Sequence, residues 1–512
     1  MFPKTKEILR KARTIWALDH ASSLMDWDLE VNMPVEGVQE RGIAASEIAV
    51  LRQKLLLDEE LSSLIGNAEK EELNDYERGL IRVLKREIKI AKALPPELVQ
   101  ELARVTQEAK VIWREAKEKD DYNRFKPYLE RIVELERKAA DFLGYEKHPY
   151  DALLDLHEEG LNTDDVQGIF SSLEPGIKKV LSNIKGEFYG EHWLEKQKYE
   201  VDAMRSLNLE LLRILGYPLG SRSRFDVSAH PFTIHMGIRD VRITTRYEGF
   251  DFKRSLFSTV HEFGHALYEL QVDDALMATP LSKGVSLGVH ESQSRFWENM
   301  IGRSMQFVEG FQNILREKLN FLKNVPAEEI YRYFNMVKPS LIRTEADEVT
   351  YNLHIILRFK IEFKMIDGSI KMDEVPEEWD NLMEELVGVR PKSYRDGVLQ
   401  DIHWSMGDIG YFPTYTLGNV ISAQIRRHMM KDIPNLHDKV KRMEFDEIKS
   451  YLKDKIHRWG SVYAVHPNRT FIYQYVELCR ARLGSSRHGS EPPTGAVLPS
   501  GTPSPPTVLY SR

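Results

Sequence analysis

The sequence predicts an all-α, mainly helical fold with a small β-sheet inset, and three observations carry that reading. Apolar residues recur at spacings of three and four, with charged residues between them, over most of the chain. One stretch, 224–249, abandons this period and alternates instead. The composition, 42% hydrophobic in 512 residues, allows a large buried core, and by length the chain could hold one to three domains.

From residue 4 to about 215 the helical period is continuous, as in ERGLIRVLKREIKIAKAL (77–94) and YLERIVELERKAADFLGY (128–145). The charge-rich faces of these helices read as solvated surface. Within 224–249, Val241, Ile243, Thr245 and Tyr247 alternate with Asp240, Arg242, Thr244 and Arg246, which predicts a small strand pair. Helical spacing returns at about 252 and continues to about 459, broken by Gly and Pro near 280–288, 339 and 391. Residues 1–463 thus read as one helical domain around the inset. Residues 464–483 form an atypical segment, since from 464 onward the chain has no Lys and no Asp. The Pro/Ser/Gly-rich end, 484–512, is expected to be disordered.

With 71 basic and 79 acidic residues mixed along the chain and a net charge of −8, no basic face is available for nucleic acid. No segment approaches a membrane span, and the first residues lack the apolar run of a secretory signal, so neither membrane insertion nor export is expected. The single cysteine, Cys479, excludes an intrachain disulfide and a thiolate metal cluster. That suits a cytoplasmic protein, and the abundance of Glu, Lys and Arg also fits a thermophile.

The chemistry-bearing stretch is STVHEFGHALYEL (258–270). On a helix, His261 and His265 lie one turn apart on one face and can place ring nitrogens on a single ion. Glu262 points about 100° away, beside the ion, where it can take a proton from water. The competing reading is a helix with coincidental histidines. With 16 histidines in the chain, fewer than about 0.1 chance occurrences of HExxH are expected. Two histidines and a glutamate in so apolar a helix also need a compensating partner. Gly264 inside the helix costs about 1 kcal/mol, which a close approach of another element or of substrate would explain.

Two histidines leave a catalytic metal needing a third protein ligand and an open position. His290, Glu291, Glu298 and Glu269 compete for the role. Glu269 would have to bend backwards along its own helix, whereas Glu291 opens a second helix able to pack on the first. Glu291 is favoured, with Glu298 two turns on as its support or as a structural group.

HEFGH followed by HESQSR resembles the M32 metallocarboxypeptidases. HPF (230–232), DVRIT (240–244), IRTEAD (342–347), GVLQDIHW (397–404) with its continuation SMGDIGYFPTYTLGN, and WDLEVNMP (27–34) agree with the same family, in its order. The resemblance implies a mostly helical fold with a deep groove around a zincin-type active-site helix. It implies a homodimer that removes single residues from peptide C-termini with broad specificity. One divalent metal is implied, zinc or cobalt, with Glu291 as third ligand beside His261 and His265. The likeness stops near Tyr463, where the family continues with a Lys/Glu-rich helical ending. The change looks like translation in a shifted reading frame, with a lineage-specific tail as the alternative.

An enzyme acting from the C-terminus must hold a free carboxylate, a task suited to arginine. Arg343 and Arg242 are the candidates, each with a bland competitor: an intrahelical pair with Asp347 for Arg343, and Asp240 on the same strand face for Arg242. Arg242 and Thr244 share a face that suits a groove wall. His230, His403 and Tyr415 are candidate donors to the oxyanion of the reaction, although each alone is more often structural. Gln400 and Asp401 are expected to orient a ligand imidazole.

Two other functions stay open on the residues alone. A zinc oligopeptidase would use the same metal and base on internal bonds. A helical scaffold with a structural metal is the alternative from another class, and Glu262 stands against it, because a structural site needs no base and closes with a fourth protein ligand.

Overall fold

A computed structural model describes residues 2–184 and 186–464; the atypical segment and the tail, apart from Ala464, lie outside the described residues. The first half is helical throughout, from Lys6–Val31 to Val201–Leu215. Helix Asp75–Ala93 shows how the pattern works. Its three-four spacing buries Leu80, Ile81, Leu84 and Ile88 on one side. Its start is closed by a capping box, in which Asn74 accepts from the Glu77 N–H at 3.1 Å and Glu77 accepts from the Asn74 N–H at 3.3 Å.

The inset holds three strands, where the sequence predicted a pair. They are β1 (Ser223–Val227), β2 (Thr233–Gly237) and β3 (Asp240–Thr245), in the order β1-β3-β2. β1 runs parallel to β3, and β2 antiparallel to it. The extra strand escapes sequence reading because SRFDV carries little alternation. In β3, Val241 and Ile243 join the main core together with Val260 and Phe263 of helix Lys253–Leu270. Thr244 departs from the predicted open face. It is fully buried, because its hydroxyl lies 2.6 Å from Ser228 Oγ and accepts the Phe232 N–H at 3.0 Å.

In the second half, the predicted breaks fall between helices Lys253–Leu270, Leu287–Arg295, Tyr351–Asp367, Val375–Val387 and Pro413–Asp432. One expectation fails at 340–350, where the period suggested helix. Only a short 3₁₀ turn, Arg343–Glu345, forms before the helix starts at Tyr351. The cause is Asp347, whose carboxylate accepts from the backbone N–H groups of Lys338, Val349 and Thr350, offering the backbone an alternative to helix.

A second, smaller core gathers the start of the chain. Ile8, Ala12 and Ile15 of the first helix join Leu80 and Leu84, Val272 and Leu281 from the loop after the HEFGH helix, and Val462. The chain therefore returns to its beginning. A side chain at Gly79 would fall 2.6 Å from the Val462 carbonyl, and the Tyr463 hydroxyl donates to Asp75 at 2.8 Å.

Candidate metal centre

The site is built where three helices touch through glycine. At Gly264 a Cβ would fall 2.5 Å from the Gln293 carbonyl oxygen, so the HEFGH helix meets helix Leu287–Arg295 backbone to backbone. On the other side, a Cβ at Gly418, in helix Pro413–Asp432, would overlap Glu291 Cγ. The helix carrying Glu291 is thus clamped between two glycines. Its own start is held by Ser286, which accepts from the Val289 N–H, and by Glu158, which accepts from the Gly288 N–H at 2.8 Å.

This clamp puts Glu291 Oε2 3.6 Å from His261 Nε2 and 3.3 Å from His265 Nε2. The donor atoms of the three residues all lie within 4.8 Å of one another, as no other His, Cys, Asp or Glu trio does among the described residues. Two imidazoles and one carboxylate are the donor set of a catalytic zinc site with one open position. The residues present therefore fit a divalent ion.

Each donor is held from behind. His261 Nδ1 lies 2.9 Å from Glu298 Oε2. Glu298 comes from a π-helical turn, Phe296–Gly302, that continues the Glu291 helix, a geometry frequent at functional sites. Arg295 donates to Glu291 Oε1 at 2.7 Å and to Glu298 at 3.3 Å, and Arg303 donates to Glu298 Oε1 at 3.0 Å. His265 Nδ1 lies 2.5 Å from His290 Nδ1, and His290 Nε2 lies 2.7 Å from Glu269 Oε1. Burial raises the cost of charge throughout, and it pushes the His265 imidazolium down to about 3. Burial also opposes the Glu291 carboxylate, yet Arg295 and His261 hold it well below the ordinary range. A neutral imidazole and an ionised carboxylate are the forms that bind a metal.

Glu262 stays outside the trio. Its carboxylate accepts from the Thr233 hydroxyl at 2.7 Å, at the first residue of β2. Burial raises its pKa, against the pull of His261 and Thr233.

The other predicted residues have partners of their own. Arg343 is 5% exposed and reaches Asp401, not the Asp347 of its predicted helix. Its Nε and Nη2 donate to Asp401 Oδ1 at 3.1 and 2.8 Å, and its Nη1 donates to the Tyr351 hydroxyl at 2.9 Å. Arg358 donates to the other Asp401 oxygen at 2.7 Å. Gln400 and Asp401 thus serve Arg343 and Arg358, where the sequence assigned them to a ligand imidazole; the rings of His261 and His265 are held by Glu298 and His290. His403 Nε2 lies 3.3 Å from the Tyr415 hydroxyl, and the Arg343 guanidinium lies 5.1 Å from the Tyr415 ring. His230 is exposed, three residues before Thr233. Arg242 is taken up by Asp240, at 2.8 Å through both Nε and Nη2, and by the face of Trp27, 4.3 Å away. Sequence reasoning missed Thr233, Arg295, Tyr351 and Arg358. Only Arg295 had a local signal, four residues after Glu291 and so on the same helix face.

Known proteins resemble the chain over nearly its whole described length. The family described as Carboxypeptidase Taq (M32) metallopeptidase matches residues 7–470, a few residues beyond Tyr463. The chain is 56% identical to Thermostable carboxypeptidase 1 of Pyrococcus furiosus, over 90% of this chain and 92% of that protein. It is 34% identical to Carboxypeptidase 1 of Bacillus subtilis, over 89% and 91%. Among solved structures, a Pyrococcus furiosus carboxypeptidase superposes with a TM-score of 0.90 at 53% identity, covering 93% of this chain and 99% of that one. The M32 carboxypeptidase of Deinococcus radiodurans follows with 0.89 at 31%, covering 94% and 99%.

Proposed function

The chain belongs to the M32 family of metallocarboxypeptidases, and from that membership we propose that it shortens peptides one residue at a time from a free C-terminus, with broad side-chain specificity. The observation that carries this reading is the place of Glu262, beside the His261, His265 and Glu291 donors yet outside their set, with its carboxylate held by Thr233. Zinc is the proposed resident ion, with cobalt the other candidate. When bound, it polarises the scissile carbonyl and lowers the pKa of a water to about 7.

The chain's own residues supply the rest. Glu262 accepts the proton of the attacking water and returns it to the departing amine. Arg343 anchors the substrate carboxylate. Its partner Asp401 is shared with Arg358, so two guanidinium groups face one carboxylate and a positive charge is left over. His403 and Tyr415, joined to each other and next to Arg343, and His230, before β2, are the proposed donors to the oxyanion. Arg242, locked by Asp240 and Trp27, stiffens the wall of the proposed groove. The same reading includes the homodimer expected of the family and, from the single cysteine, a cytoplasmic setting. Among the described residues, no helix is long and apolar enough to cross a membrane.

The test is mass spectrometry of one peptide offered with a free or an amidated C-terminus, with metal restored or chelated. The expected result is a ladder shortened residue by residue, from the free acid only and with metal only. Internal cuts in both peptides would overturn the direction of cleavage and make the protein an oligopeptidase.

A further inference from the structure

The two imidazoles of the site are backed in different ways. His261 meets a carboxylate directly, through Glu298. His265 meets another imidazole, and the carboxylate comes only behind it. We propose that His290 and Glu269 are positioning residues that set the tautomer and orientation of His265, passing the hold of a carboxylate to that ring through a second imidazole. This inference rests on the reading of His261, His265 and Glu291 as metal ligands.

The direction of each hydrogen bond follows from the atoms that can donate. Glu269 Oε1 accepts the Gly284 backbone N–H at 3.0 Å, which marks it as an acceptor. His290 Nε2, 2.7 Å from the same oxygen, therefore carries the proton. In the arrangement we propose His290 holds a single proton, on Nε2, so that Nδ1 is bare and accepts. Across the 2.5 Å contact the donor must then be His265 Nδ1, which leaves the lone pair of His265 on Nε2, the nitrogen facing Glu291. The opposite tautomer would point an N–H at the place of the ion.

The relay is held rigidly. A Cβ at Gly284 would fall 2.7 Å from His290 Cδ2, so the ring is wedged against that loop. Glu269 is 3% exposed, and its second oxygen faces His235 Nε2 of β2 at 3.7 Å. Because His290 and Glu291 are consecutive, one short helix delivers both the third ligand and the group that orients the second. The sequence weighed Glu269 and His290 as ligands; their engaged atoms place them one layer behind.

The test uses the purified full chain, stripped of metal and titrated with Co²⁺ alone against a chelator. The visible Co²⁺ spectrum and the melting temperature of the metal-free protein are recorded alongside. His290→Phe, which removes the acceptor, is expected to weaken Co²⁺ binding about 10–100-fold and to change the spectrum. His290→Gln, whose carbonyl can accept the His265 N–H, should recover most of the affinity. Glu269→Gln should fall between them. The proposal is overturned if His290→Phe and Glu269→Gln both keep the parent's affinity and spectrum. It is also overturned if Phe and Gln at 290 lower the metal-free melting temperature alike without separating in Co²⁺ affinity, the signature of packing alone. Should His290→Phe fail to fold, Glu269→Gln decides. His261→Ala separates the two readings. If it loses Co²⁺ while the relay variants keep it, only the relay falls; if it too binds like the parent, the metal lies elsewhere and both readings fall.

Discussion

Glu298 holds His261 Nδ1 at 2.9 Å, leaving Nε2 as the ring nitrogen that faces Glu291. Since Arg295 and Arg303 both bond Glu298, removing its charge disturbs the ring and two guanidinium groups together. Glu298→Gln should lower zinc affinity about 10–100-fold, read by chelator competition. Unchanged affinity would show that the ring needs no support from this side.

Glu262→Gln should keep full metal content and lose about 10²–10⁴-fold in turnover, measured as kcat on a free-acid peptide with metal analysis of the same sample. Glu291→Ala should do the reverse in order, losing metal first and activity as a result. Retained activity in the first variant removes the base assignment.

Arg343→Ala should raise KM for free-acid peptides far more than for amidated ones. The fold should persist, because Asp401 keeps Arg358 at 2.7 Å. Equal effects on the two substrates would end the anchoring role.

Gly418→Ala tests the clamp. Its new methyl meets Glu291 Cγ, so we expect a loss of about 1–3 kcal/mol in denaturant unfolding together with reduced metal content. A stable variant with full metal would mean that the helices shift freely to make room.

Glu136, in helix Tyr122–Leu143, is 5% exposed, and burial with Asp408 nearby pushes its pKa up to about 8. A carboxyl whose pKa is raised on folding stabilises the fold fully below its unfolded pKa, and that contribution is lost as pH rises through the folded value. Stability should therefore fall between about pH 4.5 and pH 8, on the order of a few kcal/mol, and Glu136→Gln should flatten the fall. Thermal unfolding of both proteins near pH 5 and pH 9 checks this; parallel curves would refute it.

The trio that the fold brings together was legible because a helix returns to the same face every three to four residues, which pairs His261 with His265, and because Glu291 opens a second helix able to pack on the first. What supports them was legible only in part, since Glu298 was expected in support two turns beyond Glu291 but its partner was not. Glu298 reaches His261 from a π-helical turn that spacing does not reveal, and Thr233 reaches Glu262 from another element. The helix misplaced at 340–350 has the same origin, since Asp347 bonds the backbone of Lys338 as well as its own neighbours. Local periodicity reads faces, and these errors all concern what a face meets across the chain.

The closing of the chain on its own beginning bears on how the enzyme is made. His457 lies between Gln271, at 2.7 Å, and Gln293, at 2.8 Å, bridging the end of the HEFGH helix to the helix of Glu291. Arg82 reaches the Ser461 carbonyl across 379 residues of sequence. Domains emerge from the ribosome N-terminal end first, and contacts of such long separation form slowly. A nascent chain thus displays the helices of His261 and Glu291 well before the turn that braces them, at 457–461, has been synthesised.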